Sequence, residues 1–240
     1  MTTNFVFSSV GDNTSFDDLY IGNNMNYDIY VIYYANDDNI FNKYKSKVTF
    51  IEKRKGSKFQ NFKYFYEKYP EIINKYDYFF ILDDDIIIDV PRINEMFSIA
   101  KQYNLSICGP SFKSGSIISH AITKRRQNIL LSYTNFVEVN VPLFNKKALT
   151  NLMKILDYSL IGWGIDMLYI WCNGLYKQNT YAIIHKIGCI NPHPKNKKNK
   201  KRELYLLKNA HRRAQIWNTY AKKIKCPTRF IFKTYKSIKL

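Results

Sequence analysis

Three consecutive carboxylates, Asp83, Asp84 and Asp85, lie between two apolar runs in the stretch YDYFFILDDDIIIDVP. Burying adjacent unpaired acids is strongly unfavourable, so this triplet needs a partner of opposite charge. Hard divalent cations such as Mg²⁺ and Mn²⁺ prefer carboxylate oxygens and leave coordination positions open for the phosphates of a substrate. A solvated acidic loop that ends a strand is the other interpretation. The pattern therefore predicts either a metal–phosphate site or a polar strand end.

A second candidate constellation is the stretch LIGWGIDMLYIW, in which Gly162 and Gly164 bracket Trp163. The two glycines allow close approach of the backbone, and Asp166 follows at the predicted start of a helix. The helix dipole stabilises a carboxylate at this position in its ionised form. That environment suits a general base and suits a helix cap equally well. Asp166 is therefore a candidate catalytic residue.

The elements that must position these acids alternate along the chain. Apolar runs predict strands over 4–10, 27–36, 47–53, 76–82, 105–110, 135–144 and 181–190, and helices are predicted in GSKFQNFKYFYEKYP, after Pro91, in KKALTNLMKIL and after GWGID. This alternation is typical of an α/β fold with a parallel-rich sheet. Ligands of such sheets bind beyond the carboxyl ends of the strands, where the acidic triplet is expected.

The composition predicts one soluble domain, residues 1–195, followed by a basic helical extension, residues 196–240. The chain has 240 residues, 46% of them hydrophobic, which is enough for a sizeable core. The four cysteines are far apart in the sequence, so a disulfide framework or a zinc ribbon is not expected. No signal peptide and no membrane span are recognised. These observations favour a cytoplasmic protein, either free in solution or attached to a membrane surface.

The net charge of +18 predicts attraction to anions. Nucleic acid, an acidic membrane face and a phosphate-bearing substrate all fit this charge. Much of the excess lies in KNKKNKKR and the segment after it, away from the acidic triplet. The second part of this segment, ELYLLKNAHRRAQIWNTYAKKI, predicts a basic amphipathic helix that could contact anionic lipid.

The order of the motifs resembles the nucleotide-sugar glycosyltransferases of the GT-A fold. More narrowly, it is similar to a family of plant, bacterial and large-virus proteins whose motifs are D-x-D, H-x-I-T-x-R-R, V-E-x-x-x-P-x-F and G-W-G-x-D. The corresponding stretches here are DDD (83–85), HAITKRR (120–126), VEVNVPLF (137–144) and GWGID (162–166). The resemblance spans residues 4–194. The high content of Asn, Lys, Ile and Tyr is typical of an AT-rich genome, and a viral protein of a large DNA virus fits that composition.

The resemblance implies a GT-A (Rossmann-like) fold with a mixed, mostly parallel sheet flanked by helices. It also implies metal-dependent transfer of a hexosyl or deoxyhexosyl group from a nucleoside-diphosphate sugar to a glycan or glycoprotein hydroxyl. Asp166 would be the base of an inverting reaction. Asp85 would bind Mn²⁺ or Mg²⁺ directly, with Asp83 beside the ribose or a metal-bound water and Asp84 in support. The remaining nucleotide-binding candidates are Val10, Gly11, Asn13, Ser15, Lys58, Arg125 and Arg126.

The late histidine of the family's metal site is displaced in this chain. An ungapped comparison of AIIHKIGCINPHP with the family's H-T-R-P motif puts Asn191 at the histidine position, and His193 two residues later. His193 is the candidate metal ligand if the loop shifts, and His185 is a weaker candidate. On the acceptor side, the resemblance implies His120, Glu138, Asn140 and Trp163. Glu138 and Asn140 are expected on one face of the predicted strand 135–144.

Two further functions compete with sugar transfer. Acids that hold a metal could cleave phosphodiesters, and the positive charge supports nucleic-acid binding, so a metal-dependent nuclease or nucleic-acid-binding protein is the alternative. A non-catalytic membrane-surface module is the third reading, and it is compatible with the first. Direct nucleic-acid contact is not expected of the glycosyltransferase.

Overall fold

Nine strands form one mixed sheet within residues 2–12, 14–193 and 203–240, the part of the chain that this computed structural model describes. The order across the sheet is β3-β2-β1-β4-β7-β5-β8-β6-β9. Strands β1 to β4 run parallel, as do β5 and β8, whereas β7, β6 and β9 pair antiparallel with their neighbours. Their bounds are β1 Asn4–Val10, β2 Asp28–Tyr33, β3 Phe50–Lys53, β4 Tyr78–Asp83, β5 Ile107–Phe112, β6 Ile129–Thr134, β7 Leu143–Asn145, β8 Tyr181–Cys189 and β9 Thr234–Lys239.

Helices connect these strands, and side-chain caps define where several of them begin. The carboxylate of Asp37 accepts backbone N–H bonds at the start of α2, and Asp89 and Asn145 do the same for α5 and α6. Among the described residues, no helix has the length and apolar character needed to cross a bilayer. The helices are α1 Phe16–Leu19, α2 Asp38–Lys45, α3 Lys58–Lys68, α4 Pro70–Ile73, α5 Val90–Gln102, α6 Lys146–Ile155, α7 Ile165–Gly174 and α8 Arg213–Lys223.

The sheet has an apolar cluster on each of its two faces. In β4, Phe79 and Ile81 belong to one cluster, and Phe80 and Leu82 belong to the other. Successive side chains of a strand point to opposite faces, so the continuous apolar run before the acids reflects burial on both sides. The sequence therefore predicted this strand correctly, and the mixed α/β class is confirmed.

The predicted strand 135–144 is wrong. The structure has strand β6 before it and the short strand β7 at its end, and the residues between them form a loop. The carbonyls of Val139 and Asn140 accept hydrogen bonds from the Lys58 ammonium at 2.8 and 3.0 Å, and the Asp83 N–H bonds the Asn140 carbonyl at 2.9 Å. The alternation of apolar and polar residues in this stretch comes from a buried loop. Its backbone groups form hydrogen bonds with other elements instead of pairing with a neighbouring strand. Glu138 and Asn140 therefore lie on this loop and not on a strand face.

The C-terminal segment contributes to the main fold. Helix α8 lies within the stretch that was expected to be helical, and it buries Trp217 in one of the apolar clusters. Strand β9, which the sequence analysis missed, pairs with β6 at the edge of the sheet. The lysine-rich residues 196–202 lie outside the described residues, and the division of the chain at residue 195 stays a prediction. Because of β9 and Trp217, we do not expect residues 203–240 to be removable without loss of stability.

Candidate active site

A cavity of about 1670 Å³ lies beyond the carboxyl ends of β1, β2 and β4. Its walls come from the segments after these strands, the loop between β6 and β7, the start of α7, and the C-terminal segment. This is the position at which α/β sheets bind ligands. Ten of the candidate residues named from the sequence line it: Ser15, Lys58, Asp83, Asp84, Asp85, His120, Glu138, Asn140, Trp163 and Asp166.

Two acids of the triplet, Asp83 and Asp84, have different surroundings. The Asp83 carboxylate is 2.8 Å from the Lys58 ammonium. One Asp84 oxygen accepts the Gly11 N–H at 3.0 Å and the Tyr34 hydroxyl at 2.9 Å. Burial, followed by the charge of Asp85, raises the pKa of Asp84 to about 7. Asp83 thus pairs with a cation, whereas Asp84 accepts hydrogen bonds from neutral donors.

A buried tyrosine holds the turn that carries the acids. The Tyr20 hydroxyl contacts the carbonyl oxygens of Asp83 at 2.8 Å and Ile86 at 2.7 Å. The ring is fully buried, so the turn is fixed against the core. This bridge from the segment after β1 sets the direction in which the three carboxylates leave the strand.

Lys58 is a structural cation of the site. Its ammonium pairs with Asp83 and also donates to the carbonyls of Ile81, Val139 and Asn140 at 3.2, 2.8 and 3.0 Å. Burial lowers its pKa, and the charge of Asp83 opposes that effect. An ammonium has three protons, and these contacts use them all. The predicted diphosphate contact of Lys58 is therefore not supported, and the lysine instead ties α3 to β4 and to the loop carrying Glu138.

Three side chains converge on the other side of the cavity. One atom each of His120, Glu138 and Asp166 lies within 4.8 Å of the others. Burial is the main cause that raises the pKa of Asp166 to about 6 and that of Glu138 to about 8. The pKa of His120 is lowered by burial. An Asp166 oxygen accepts the N–H of Met167 at 2.9 Å, which fixes the carboxylate at the start of α7.

The Gly-Trp-Gly stretch forms a tight turn before α7. Gly162 and Gly164 have φ values of +76° and +77°, a region that L side chains rarely adopt. Trp163 between them is 52% exposed, and the Arg213 guanidinium lies 5.5 Å from its ring centre. Trp217 packs directly beneath Gly164. The turn thus exposes the indole of Trp163 at the cavity and packs on the indole of Trp217.

Replacing Gly164 with alanine is expected to destabilise the protein by about 3 kcal/mol, through an unfavourable φ and overpacking. The new Cβ would overlap the buried Trp217 ring, whereas a Cβ at Gly162 would meet no atom within 4 Å. Gly162→Ala is the matched control, because it has the same φ and no overlap, and should cost about 1–2 kcal/mol. Urea unfolding of both variants measures the difference, and equal losses would contradict the packing role of Trp217.

Other candidate residues lie away from the cavity walls. The Arg125 guanidinium donates to the His185 carbonyl at 3.2 Å, and Arg126 donates to the hydroxyls of Ser132 and Ser237 at 3.3 and 3.1 Å. These contacts join β8, β6 and β9. His193 is exposed and does not line the cavity, whereas Asn191 does. Val10 is buried in the core, and Asn13 lies outside the described residues.

Several cavity residues were missed by the sequence analysis. Tyr34 follows β2, and its hydroxyl bonds Asp84. The C-terminal segment adds a wall with apolar and basic side chains, including Leu204, Leu207, Arg213 and Arg229. Tyr34 lies inside the predicted strand 27–36, close to its carboxyl end, and only that position could have indicated its role. The C-terminal residues carry no signal of their own, because the three-dimensional path of the chain brings them there.

Comparison with known proteins gives a family and a fold. The family model described as protein of unknown function (DUF707) matches residues 19–225. No curated protein matches the sequence. The structure of S. aureus TarS 1-349 in complex with UDP-GlcNAc is similar, with a TM-score of 0.56 and 8% identity over 92% of this chain and 66% of that chain. This chain therefore spans slightly less than two thirds of the TarS chain in that complex. The complex of the same protein with UDP has a TM-score of 0.52 and 9% identity over 93% and 71% of the two chains. At such identities the similarity shows the fold alone.

Proposed function

Since this chain belongs to the DUF707 family of proteins of unknown function, its activity must be argued from its own site, and we propose that it is a glycosyltransferase. It would move a sugar from a nucleoside diphosphate to a hydroxyl of a glycan or glycoprotein. The observation that carries this proposal is one cavity with a carboxylate triplet on one side and the buried Asp166 on the other. The similar fold of a protein that binds UDP-GlcNAc supports it.

The donor diphosphate would lie beside the acidic triplet. Asp83 and Asp85 would hold Mn²⁺ or Mg²⁺, because both acids line the cavity and hard cations prefer carboxylate oxygens. When bound, the cation would neutralise charge on the departing diphosphate. His193, Arg125 and Arg126 are not part of this proposed site.

The nucleoside would occupy the side formed by the segment after β1. Asp84 fixes this segment through the Gly11 N–H, and it fixes the neighbouring Tyr34 through its hydroxyl. Ser15 lines the cavity next to them. Asp84 would therefore act as a positioning residue that shapes the nucleoside pocket, rather than as a metal ligand.

Asp166 would accept the proton of the attacking hydroxyl. As that oxygen forms its bond to the anomeric carbon, the bond from that carbon to the diphosphate breaks, and the diphosphate leaves as an anion. A pKa of about 6 leaves the carboxylate mostly ionised at neutral pH. A single displacement of this kind inverts the anomeric configuration. A product with retained configuration, detected by NMR, would remove Asp166 from this role.

The acceptor would enter along Trp163 and the C-terminal wall. Trp163 is exposed, and an exposed indole is suited to the apolar face of a sugar ring; the Arg213 guanidinium lies 5.5 Å from its ring centre. The exposed cations Lys222 and Lys223 at the end of α8 support peripheral contact with anionic membranes. If the double variant Lys222→Glu/Lys223→Glu binds anionic liposomes as well as the unmodified protein does, this contact is excluded.

The direct binding test uses the melting temperature of the full chain. A nucleoside diphosphate together with Mn²⁺ should raise it, and a panel of uridine, guanosine and thymidine diphosphates would identify the base. A ligand that binds only the folded protein stabilises it by about 2.7 kcal/mol at one hundred times its Kd. No shift with any of these nucleotides would argue strongly against the proposed donor site.

A further inference from the structure

Glu138 is a buried acid with an unused oxygen. Its side chain is 7% exposed, and its Oε2 has no hydrogen-bond partner among the described residues. The nearest cation candidate is His120, whose Nε2 lies 3.9 Å from that oxygen, too far for a hydrogen bond. Glu138 and Asp166 both line the proposed acceptor end of the cavity, although the Oε2 atom itself is not exposed. Buried polar side chains are almost always hydrogen-bonded, so we expect this carboxyl group in the cavity wall to find its partner in a molecule that enters the cavity.

The surroundings of Glu138 disfavour its ionised form. Burial raises its pKa to about 8, and the charges of Asp166 and Asp83 act in the same direction. Lys58 opposes this effect, but its ammonium is already bound to Asp83 and three carbonyls. The titratable groups that face Glu138 are His120, Asp166, Asp83, Lys58, Tyr169 and Cys189.

We propose that Glu138 stays protonated and donates a hydrogen bond from its carboxylic acid to the acceptor, beside the hydroxyl that Asp166 deprotonates. The inference rests on the proposed function and names its substrate class: a saccharide or other polyol with two neighbouring hydroxyl groups. One hydroxyl gives its proton to Asp166 and attacks the donor. The other accepts the Glu138 proton as a hydrogen bond, and Glu138 keeps that proton throughout the transfer.

This arrangement predicts selectivity by hydrogen bonding. An acceptor that lacks the second hydroxyl would leave the buried carboxylic acid without a partner, and sites built around a buried polar group discriminate strongly against such analogues. Asp166 would thus act as the base and Glu138 as the hydrogen-bond donor, because their environments separate their pKa values.

The same three side chains could instead bind a metal. One imidazole and two carboxylates suit Mn²⁺ or Zn²⁺, and a cation there would require Glu138 to be ionised. One experiment can therefore distinguish a cluster that binds a cation from a cluster in which Glu138 keeps its proton.

Infrared spectroscopy of the full-length protein at pH 7 decides between them without any substrate. We expect a carboxylic acid C=O band that is lost in Glu138→Gln and retained in Asp166→Asn. The absence of a band that depends on Glu138 would overturn the proposal. Loss of the band on addition of Mn²⁺ or Zn²⁺ alone would also overturn it and would identify a metal site.

Stability against pH gives a second readout. A carboxyl whose pKa is raised on folding destabilises the folded state progressively as the pH rises from its unfolded pKa, about 4.5, to its folded pKa of about 8, and the penalty is constant above that pH. Glu138→Gln should therefore melt at a higher temperature than the unmodified protein at pH 9 and at a similar temperature at pH 5. The same difference at both pH values would contradict a protonated Glu138.

The role in transfer is tested by two substitutions at this position. Gln keeps a hydrogen-bond donor, whereas Ala removes it, so Glu138→Gln should stay within a few-fold of the unmodified rate and Glu138→Ala should lose about tenfold or more. Equal losses in both variants would overturn the hydrogen-bond role. If no nucleotide sugar reacts with any saccharide of a mono- and disaccharide panel, the proposed function fails, while the infrared result still decides the protonation of Glu138.

Discussion

Replacing Asp166 with asparagine lowers the rate of sugar transfer by about 10²–10⁴-fold, the usual contribution of a positioned general base. Asparagine can still accept the Met167 N–H bond that holds this side chain, so the fold and donor binding should persist. Transfer is measured as the initial rate of nucleoside diphosphate release with saturating acceptor.

Asp157→Asn is the matched control, because it also removes one carboxylate charge and its side chain accepts hydrogen bonds from Ser159, two residues away. That variant should keep the unmodified rate. The pH profile adds a second check: Asp166 must be ionised to act, so the rate should fall about tenfold per pH unit below pH 6, given its pKa of about 6. Full activity of Asp166→Asn would exclude the residue as the base.

Replacing Asp85 with asparagine abolishes the stabilisation that Mn²⁺ and a nucleoside diphosphate give together. Asp85 lines the cavity within the acidic triplet, and the neutral amide would hold a hard cation much less well. The expected loss is the whole ligand effect, about 2.7 kcal/mol at one hundred times Kd. Thermal unfolding with and without Mn²⁺ and the nucleotide measures it.

Asp38→Asn serves as the control for that loss. Asp38 is a highly exposed acid on α2, paired with Lys53 outside the cavity, and its replacement changes the net charge by the same amount. Its ligand-induced shift should equal that of the unmodified protein. If Asp85→Asn keeps the full shift as well, the acidic triplet does not hold the diphosphate.

The parts of the site that the sequence predicted are those with local signals. The acids follow a long apolar strand, so Asp83 was expected at a strand end and lies there. Asp166 follows Gly164 and precedes an apolar helix, and the structure begins α7 at Ile165. In both cases the local sequence indicates where the element begins or ends, and distant residues, Tyr20 and Trp217, then hold the turn in place.

The parts that were missed depend on contacts distant in sequence. Lys58 pairs with Asp83 and donates to the carbonyls of Ile81, Val139 and Asn140. These partners are distant from Lys58 in the sequence, so only its charge was available for a prediction, and that charge suggested a phosphate ligand. The sequence of the buried loop 135–142 has the pattern of a strand because both sides of the loop are covered by other parts of the protein. Strand β9 was not recognised because its sequence TYKSIK is polar and its pairing with β6 spans about a hundred residues.

The central claim is that the cavity transfers sugar from a nucleoside diphosphate. The measurement that tests it most directly is release of nucleoside diphosphate from a panel of nucleotide sugars, with Mn²⁺ and with saccharides as acceptors. We predict release from at least one donor, and its loss in both Asp166→Asn and Asp85→Asn. Release from no donor, together with metal-dependent cleavage of DNA or RNA that Asp85→Asn abolishes, would contradict the claim and favour a nuclease.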